Sequence, residues 1–288
     1  MSERRDLVYL YDGSFAGLLC CVFESFYQHE RPEAIYTAES YPCTLYPVRE
    51  IKTDPSHSER VWHAIERKLG ELAADLTQFG FLTCHAQKEE LLLDFLKLGF
   101  RVGPQVVHML QNETVHTLTH AVRALRNEAH LLCGFLRFSE INGILAAVIG
   151  PKNSVLPVLR EHFCDRFANE TFMIFDRTHK LALFYQGGYA RIVPVESLSL
   201  PAPGKKEKSW EALWKRFHET IAIEGRLNPR CQMGHCPKRY WGYMTEFGAA
   251  EAASFFEQPQ PELIPADITE NAYRSPRSSR LPQSAGRR

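Results

Sequence analysis

The sequence predicts a mixed α/β fold, in which one small mixed sheet is wrapped by about six helices and followed by a disordered C-terminal tail. Short runs of β-forming residues predict the strands, and longer segments with apolar residues at three- and four-residue steps predict the helices. The end of the chain is rich in Pro, Ser and Arg and poor in apolar residues, which is typical of disorder. We therefore predict one globular domain over residues 1–256 and a tail over 257–288.

The chain opens with a strand, a turn and a helix. Residues 7–11 (LVYLY) are β-formers, and the turn-forming residues 12–14 (DGS) interrupt them. A helix is predicted over 15–26, with Ser14 as its N-cap because the hydroxyl can accept a backbone N–H of the first turn.

The next region combines an irregular stretch with two helices. The Pro-rich residues 32–55 predict irregular structure that contains at most one short strand. Apolar residues up to Phe79 stay on one stripe, so we predict a single amphipathic helix from Pro55 to Gly80. A second helix is predicted over 87–98, ending where a glycine follows.

The following helix carries two distinct stripes. Its apolar stripe consists of Val115, Leu118, Val122, Leu125, Ala129, Leu132 and Leu136. One position further along the chain lies a polar stripe of His116, His120, Arg123, Asn127, His130, Gly134 and Arg137. About 100° separate the two stripes on a 3.6-residue helix, so the polar stripe is not simply the solvent-facing side.

Three interpretations of the polar stripe stay open. Arg123 and Arg137 could bind phosphates, with the imidazoles adding hydrogen bonds. Glu113, His116 and His120 could instead ligate a metal. The stripe could also be structural, with its side chains bonded to neighbouring carbonyls.

The rest of the chain alternates strands and helices. We predict strands over 144–149, 172–175, 181–185 and 189–195, a helix from Asn153 or Ser154 to about Phe167, and a helix over 210–224. Residues 176–180 are predicted to form the turn of a hairpin. Asp176 at the first position of that turn is ordinary turn chemistry, because its carboxylate can accept backbone N–H groups.

Two imidazoles and a carboxylate are the candidate catalytic residues. His130, His162 and Asp176 are groups that acid–base or metal-assisted hydrolysis uses, provided that they converge on one pocket. The alternative for His162 is a buried network with Asp165 and with Arg166, which lies four residues further along the same helix.

A basic and aromatic segment is the clearest candidate for nucleic-acid binding. Lys238 and Arg239 can neutralise phosphates, and Tyr240 and Trp241 offer rings on which bases can stack. We predict a nucleic-acid-binding set that consists of these four residues with Arg123, Arg137 and Arg166. The alternative is an aromatic anchor that packs the C-terminal segment onto the core.

The charge of the chain is zero in total but uneven along its length. The sequence contains 34 Lys and Arg against 34 Asp and Glu, which excludes binding of a polyanion through bulk charge. Counted in parts, the net charge is −5 over residues 1–110 and +4 over residues 111–256. A polyanionic partner is therefore expected to meet the second part of the chain.

Several classes of protein are not supported by the sequence. The N-terminal residues lack the apolar core of a signal peptide and no run of 18 apolar residues occurs, so we expect a cytoplasmic protein that binds no membrane. The eight cysteines include no C-x₂-C pair, and Cys231, His235 and Cys236 form only a loose zinc pattern. GxGxxG, GxxxxGK[ST], HExxH and GxSxG are all absent, so we predict no cofactor and no metal.

Five ordered blocks of the sequence resemble a bacterial domain-of-unknown-function family. The blocks are residues 11–26, 128–138, 153–167, 171–185 and 237–247. Members of that family are labelled DNA metabolism or DNA repair proteins, and they typically accompany a DNA-modification or repair protein of the radical-SAM class. Some are fused to a uracil-DNA glycosylase-like domain, whereas this chain is similar to the stand-alone form.

The resemblance implies a function without implying any catalytic residue. We expect a DNA-repair or DNA-modification accessory protein that works with a radical-SAM partner and contacts DNA through the basic and aromatic residues named above. Two rival hypotheses remain: a hydrolytic or nucleolytic enzyme that uses His130, His162 and Asp176, and a purely structural subunit that binds protein.

Overall fold

A computed structural model describes residues 7–42, 44–198, 200–201, 204–226 and 228–247. The predicted tail, residues 257–288, lies outside the described residues. The mixed α/β class is confirmed, but the strands form two sheets rather than one. Among the described residues, no helix is both long and apolar enough to cross a bilayer.

The strands of the two sheets follow one another along the chain. They are β1 Val8–Tyr11, β2 Ala34–Thr37, β3 Val48–Glu50, β4 Ser139–Ile141, β5 Ile144–Ile149, β6 Phe172–Asp176, β7 Leu181–Gln186 and β8 Tyr189–Pro194. The first three form a parallel sheet of order β2-β1-β3. The other five form a sheet of order β4-β5-β6-β7-β8, in which only β5 and β6 are parallel.

The prediction that β1 joins a single sheet is therefore wrong. Its partners β2 and β3 lie inside the Pro-rich stretch that we expected to be irregular. These strands contain four and three residues, too few for an alternating pattern to stand out from the prolines around them.

The described residues contain eight α-helices rather than about six. They are α1 Phe15–Tyr27, α2 Pro55–Leu69, α3 Glu71–Phe81, α4 Lys88–Val102, α5 Glu113–Phe135, α6 Leu156–Arg166, α7 Lys205–Ile221 and α8 Pro229–His235. The predicted N-cap is confirmed at Ser14, whose Oγ accepts the N–H of Gly17 at 2.9 Å.

Gly70 divides the single helix predicted over 55–80 into α2 and α3. Its φ of +85° is rarely adopted by residues with a side chain, and its N–H bonds to the carbonyl of Ile65, which ends α2. The chain then changes direction, so that Leu72 lies on the surface instead of continuing the apolar stripe.

Helix α5 connects two hydrophobic cores. Its residues Val115, Leu118 and Val122 pack into a core formed with β1 and α1 to α4. Further along, residues such as Leu125 and Leu132 pack into a second core formed with α6 and the five-stranded sheet. The predicted apolar stripe is confirmed along its whole length, and it fixes which edge of α5 faces solvent.

Candidate nucleic-acid interface

A buried carboxylate on α5 organises the region around the basic and aromatic segment. Glu128 is only 2% exposed. Its Oε1 and Oε2 accept the backbone N–H groups of Lys152 (3.0 Å) and Asn153 (2.8 Å), and Oε2 also accepts the side-chain amide of Asn153 (2.6 Å). Oε1 in addition accepts the Tyr240 hydroxyl at 3.1 Å and the Arg239 guanidinium at 3.3 Å.

These donors keep Glu128 ionised inside the protein. Burial alone would raise the pKa of this carboxyl, but the hydrogen bonds from Lys152 and Asn153 and the charge of Arg239 lower it on balance. The sequence analysis missed Glu128. Its position, three residues after Leu125 and four before Leu132, is the signal that could have found it, since that spacing places the carboxylate on the buried face.

Asn153 serves this network instead of capping α6. The predicted helix start at Asn153 or Ser154 is corrected to Leu156, with Val155 as an N-cap that makes no side-chain hydrogen bond. Asn153 is buried, and its Oδ1 accepts the N–H of Cys84 at 2.9 Å. The amide therefore ties the loop after α3 to Glu128.

The aromatic residues of the segment pack inward, so the anchor interpretation is confirmed. Tyr240 is 1% exposed and its ring lies 5.7 Å from that of Phe135, which corrects the prediction that it stacks on bases. Trp241 stacks on Phe247 with ring centroids 4.6 Å apart, and its Nε1 donates to the carbonyl of Cys236 at 2.9 Å. The ring of Trp241 therefore stacks on Phe247 rather than on a base.

Arg137 is also committed to an internal partner. Its guanidinium makes two hydrogen bonds to the carboxylate of Glu246, at 2.6 and 3.2 Å, and a third to the carbonyl of Gly134 at 2.8 Å. The Glu246 side chain is 4% exposed, so this pair fastens the C-terminal segment to the end of α5. Most of its N–H donors therefore already have internal acceptors, and phosphate binding by Arg137 stays a prediction that these bonds disfavour.

The remaining predicted cations lie at the surface. Arg123, Arg166 and Lys238 are exposed, whereas Arg239 combines partial exposure with its bond to the buried Glu128. Arg166 and Lys238 each lie 5.8–5.9 Å from an aromatic ring of their own segment. Arg123 forms no ion pair with any carboxylate of the described residues.

Five of the polar-stripe residues form one exposed edge of the helix. This α5 edge consists of His116, His120, Arg123, Asn127 and His130, all of which are exposed. At 100° per residue they fall within an arc of roughly 80°. They extend over about 21 Å of helix at 1.5 Å per residue.

A cavity of about 390 Å³ lies beside the first half of the α5 edge. His116 and His120 line it from α5, and His85 lines it from the loop after α3. Asn153 also lines the cavity, so the Glu128 network supports one of its walls. The imidazoles that line the cavity can hydrogen-bond a polar ligand, whereas the amide of Asn153 is already bonded to Cys84 and Glu128.

The three candidate catalytic residues are not brought together. Asp176 is fully buried, and its Oδ1 accepts the N–H groups of Thr178 and His179 while its Oδ2 lies 2.7 Å from Nδ1 of His179. This is the turn chemistry that the hairpin predicts. His130 and His162 are exposed on α5 and α6, and neither of them bonds to Asp176.

The buried network proposed for His162 is also corrected. Its side chain is exposed, although partial burial and the nearby charge of Arg166 lower its pKa. The cavity beside the α5 edge is lined by neither this residue, His130 nor Asp176.

No group of three or more His, Cys, Asp or Glu within the described ranges is placed to hold a metal ion. Glu113, His116 and His120 form no such group, nor does the loose cysteine pattern after α7. Cys236 lies 3.6 Å from the sulfur of Met244, where its thiol packs instead of facing a ligand. The seven described cysteines are free thiols.

Comparison with known proteins identifies one family. The model of a domain of unknown function, DUF4130, matches residues 86–246, which is more than half of the chain. The matched part begins just before α4 and contains α5, both ends of the Glu128 network and the Arg137–Glu246 pair. No curated protein and no solved structure gives a significant match.

Proposed function

The chain belongs to the DUF4130 family, and from that premise we propose that it is a DNA-repair or DNA-modification accessory protein that contacts nucleic acid along the α5 edge. We further propose that it works with a radical-SAM partner. The biological role and the partner are suggested by the five sequence blocks described above. The surface is suggested by the side chains that α5 leaves exposed.

The observation that carries the proposal is the exposed Arg123 at the centre of the α5 edge. A guanidinium without a carboxylate partner can pair with a phosphate at little cost, because no internal bond has to be broken. The flanking imidazoles and the amide of Asn127 add hydrogen-bonding groups of the kind that contact phosphate and sugar. Both Arg137 and Tyr240, by contrast, would have to leave internal partners first.

The neutral net charge limits what this surface can do. A single exposed guanidinium on this edge supports a modest number of phosphate contacts, so binding should be weak and dependent on salt. Such a surface suits an accessory role, in which the partner protein supplies further contacts. Arg166 and Lys238 are exposed cations that can add to them.

Removal of Arg123 tests the surface directly. We expect Arg123→Ala to weaken binding of a fluorescein-labelled duplex or single strand and to reduce the slope of log K against log salt by about 1. Arg67→Ala is the matched control, because Arg67 is an equally exposed arginine on α2. Fluorescence anisotropy over a salt series measures both effects.

Three outcomes would count against the proposal. Wild-type protein that binds neither duplex nor single strand at low salt, even with the radical-SAM protein present, would exclude nucleic-acid contact. Equal effects of Arg123→Ala and Arg67→Ala would place the contact elsewhere. Failure of the purified radical-SAM protein to associate with this chain would exclude the partnership.

A further inference from the structure

Helix α7 is amphipathic, yet it buries none of its residues, all of which the structure describes. Five large apolar side chains follow one another along it at three- and four-residue steps. Their exposed fractions are 58% for Trp210, 55% for Leu213, 41% for Trp214, 52% for Phe217 and 57% for Ile221. An amphipathic helix ordinarily turns such a stripe toward a core, so this one has an apolar face without a partner.

The helix is held against the protein by a different side. Near its start, Glu207 lies close to Ser139 and Glu140 of β4. Further along, Trp214 donates its Nε1–H to Glu246 at 3.1 Å, and the ring of His218 lies 5.8 Å from that of Phe247. These attachments fix α7 in place.

The attachments also fix the direction in which the apolar stripe points. At 100° per residue, the attached positions are centred roughly 70° around the helix from the centre of the stripe. Trp214 belongs to both sets, and the Arg137 guanidinium lies 5.6 Å from its ring. The contacts of α7 with the rest of the protein therefore set its rotation about its own axis. That rotation leaves the apolar stripe at the surface.

The two borders of the stripe carry different charges. The border nearer the attached side contains Glu207 and Glu211, whereas the free border contains Arg216 and, further round, Lys205, and no carboxylate of α7. Lys206 lies within the stripe, in the first turn of the helix. A complementary surface should therefore be apolar in the middle and acidic along one rim.

We propose that α7 is a docking helix that inserts its apolar stripe into a groove of a partner protein with an acidic rim. A helix of 17 residues is about 25 Å long, and anchors at steps of three and four residues are the pattern by which a helix occupies a protein groove. The interaction is separate from nucleic-acid contact at the α5 edge and does not depend on it.

Other occupants fit the stripe less well. Leu213 and Ile221 have no ring on which a base could stack, which disfavours single-stranded nucleic acid. A second copy packed antiparallel about a two-fold axis would bring the cationic free border close to itself. An anionic membrane is disfavoured because Glu207 and Glu211 border the stripe on one side and would face its headgroups, although α7 also carries five Lys and Arg.

The test places a photoreactive p-benzoylphenylalanine at position 217 of the full chain in its native cells, and the crosslinked product is identified by mass spectrometry. The identified protein is then purified and titrated by calorimetry against variants of this chain. We expect Leu213→Glu to weaken binding by roughly tenfold or more and Arg216→Glu to weaken it in a salt-dependent manner. Leu72→Glu is the matched control, since Leu72 is 60% exposed on α3.

Circular dichroism and the DNA titration of each variant verify that the fold is retained. Crosslinking to a protein whose binding is lost in Leu213→Glu and kept in Leu72→Glu supports the proposal. Crosslinking only to nucleic acid, to lipid or to a second copy overturns it, as does the absence of a crosslinked protein. Binding that Leu213→Glu leaves intact also overturns it, whether or not the chain binds DNA.

Discussion

Glu128 shows how one side chain positions the surroundings of the candidate site. Its carboxylate accepts five hydrogen bonds from four residues that lie 24 to 112 positions away in the sequence. Two of these residues, Arg239 and Tyr240, are those that the sequence suggested for nucleic-acid binding. Their basic and aromatic side chains bond to an internal carboxylate, and no pattern in the sequence near residue 240 indicates that contact.

Replacement of Glu128 should therefore cost far more stability than replacement of a neighbour. We expect Glu128→Ala to lower the free energy of unfolding by about 3–5 kcal/mol, because several buried donors lose their acceptor and Arg239 loses its counter-charge. Asn127→Ala, at the adjacent exposed position, should change it by less than about 0.5 kcal/mol. Urea unfolding followed by circular dichroism measures both, and similar values for the two variants would contradict the role given to Glu128.

At the scale of elements, the C-terminal segment is fastened at two points, one on α5 and one just after its end. Glu128 holds its start through Arg239 and Tyr240, and Arg137 holds its end through Glu246. The pKa of Glu246 is lowered: burial alone would raise it, but hydrogen bonds from Arg137 and Trp214 and the charge of Arg137 outweigh that effect. The ionised carboxylate also positions α7 through Trp214.

This lowered pKa predicts an acid-dependent loss of stability. Because the folded pKa lies below the unfolded value, the contribution of Glu246 is complete above about pH 4.5 and is lost as the pH falls through the folded pKa. Glu246→Gln should lower the free energy of unfolding by about 1–3 kcal/mol near neutral pH, and this difference from wild type should become smaller in acid. Urea midpoints at several pH values measure it, and a difference that persists at low pH would show that the charge is unimportant.

The long periodic elements could be predicted, and the short ones could not. The apolar stripe of α5 specifies a 23-residue helix and its buried face. Of strands β2 and β3, at most one is predicted, because both are stabilised by pairing with β1 rather than by a pattern in their own sequence. The end of α2 at Gly70 is not predicted either, because the apolar residues before and after it keep the spacing of a single helix.

At the scale of the whole molecule, α5 is shared by two cores and leaves one edge to solvent. Helical spacing places Arg123 and its histidine neighbours on one edge beside the apolar stripe, but it does not identify that edge as the solvent-facing side, which the structure shows it to be. In the rest of the candidate site, Arg137 and Tyr240 bond to internal carboxylates 109 and 112 positions away, and Trp241 stacks on Phe247. The types of these three residues suggest exposed side chains, whereas tertiary packing gives each of them an internal partner.

The central claim is that nucleic acid lies along the α5 edge. Its most direct test is ultraviolet crosslinking of radiolabelled DNA to full-length protein with p-benzoylphenylalanine at position 127 on that edge, compared with position 189 on β8, where Tyr189 is 83% exposed. We expect a crosslink from position 127 that weakens in Arg123→Ala, and little or none from position 189. Equal crosslinking from both positions, or crosslinking from position 189 alone, would contradict it.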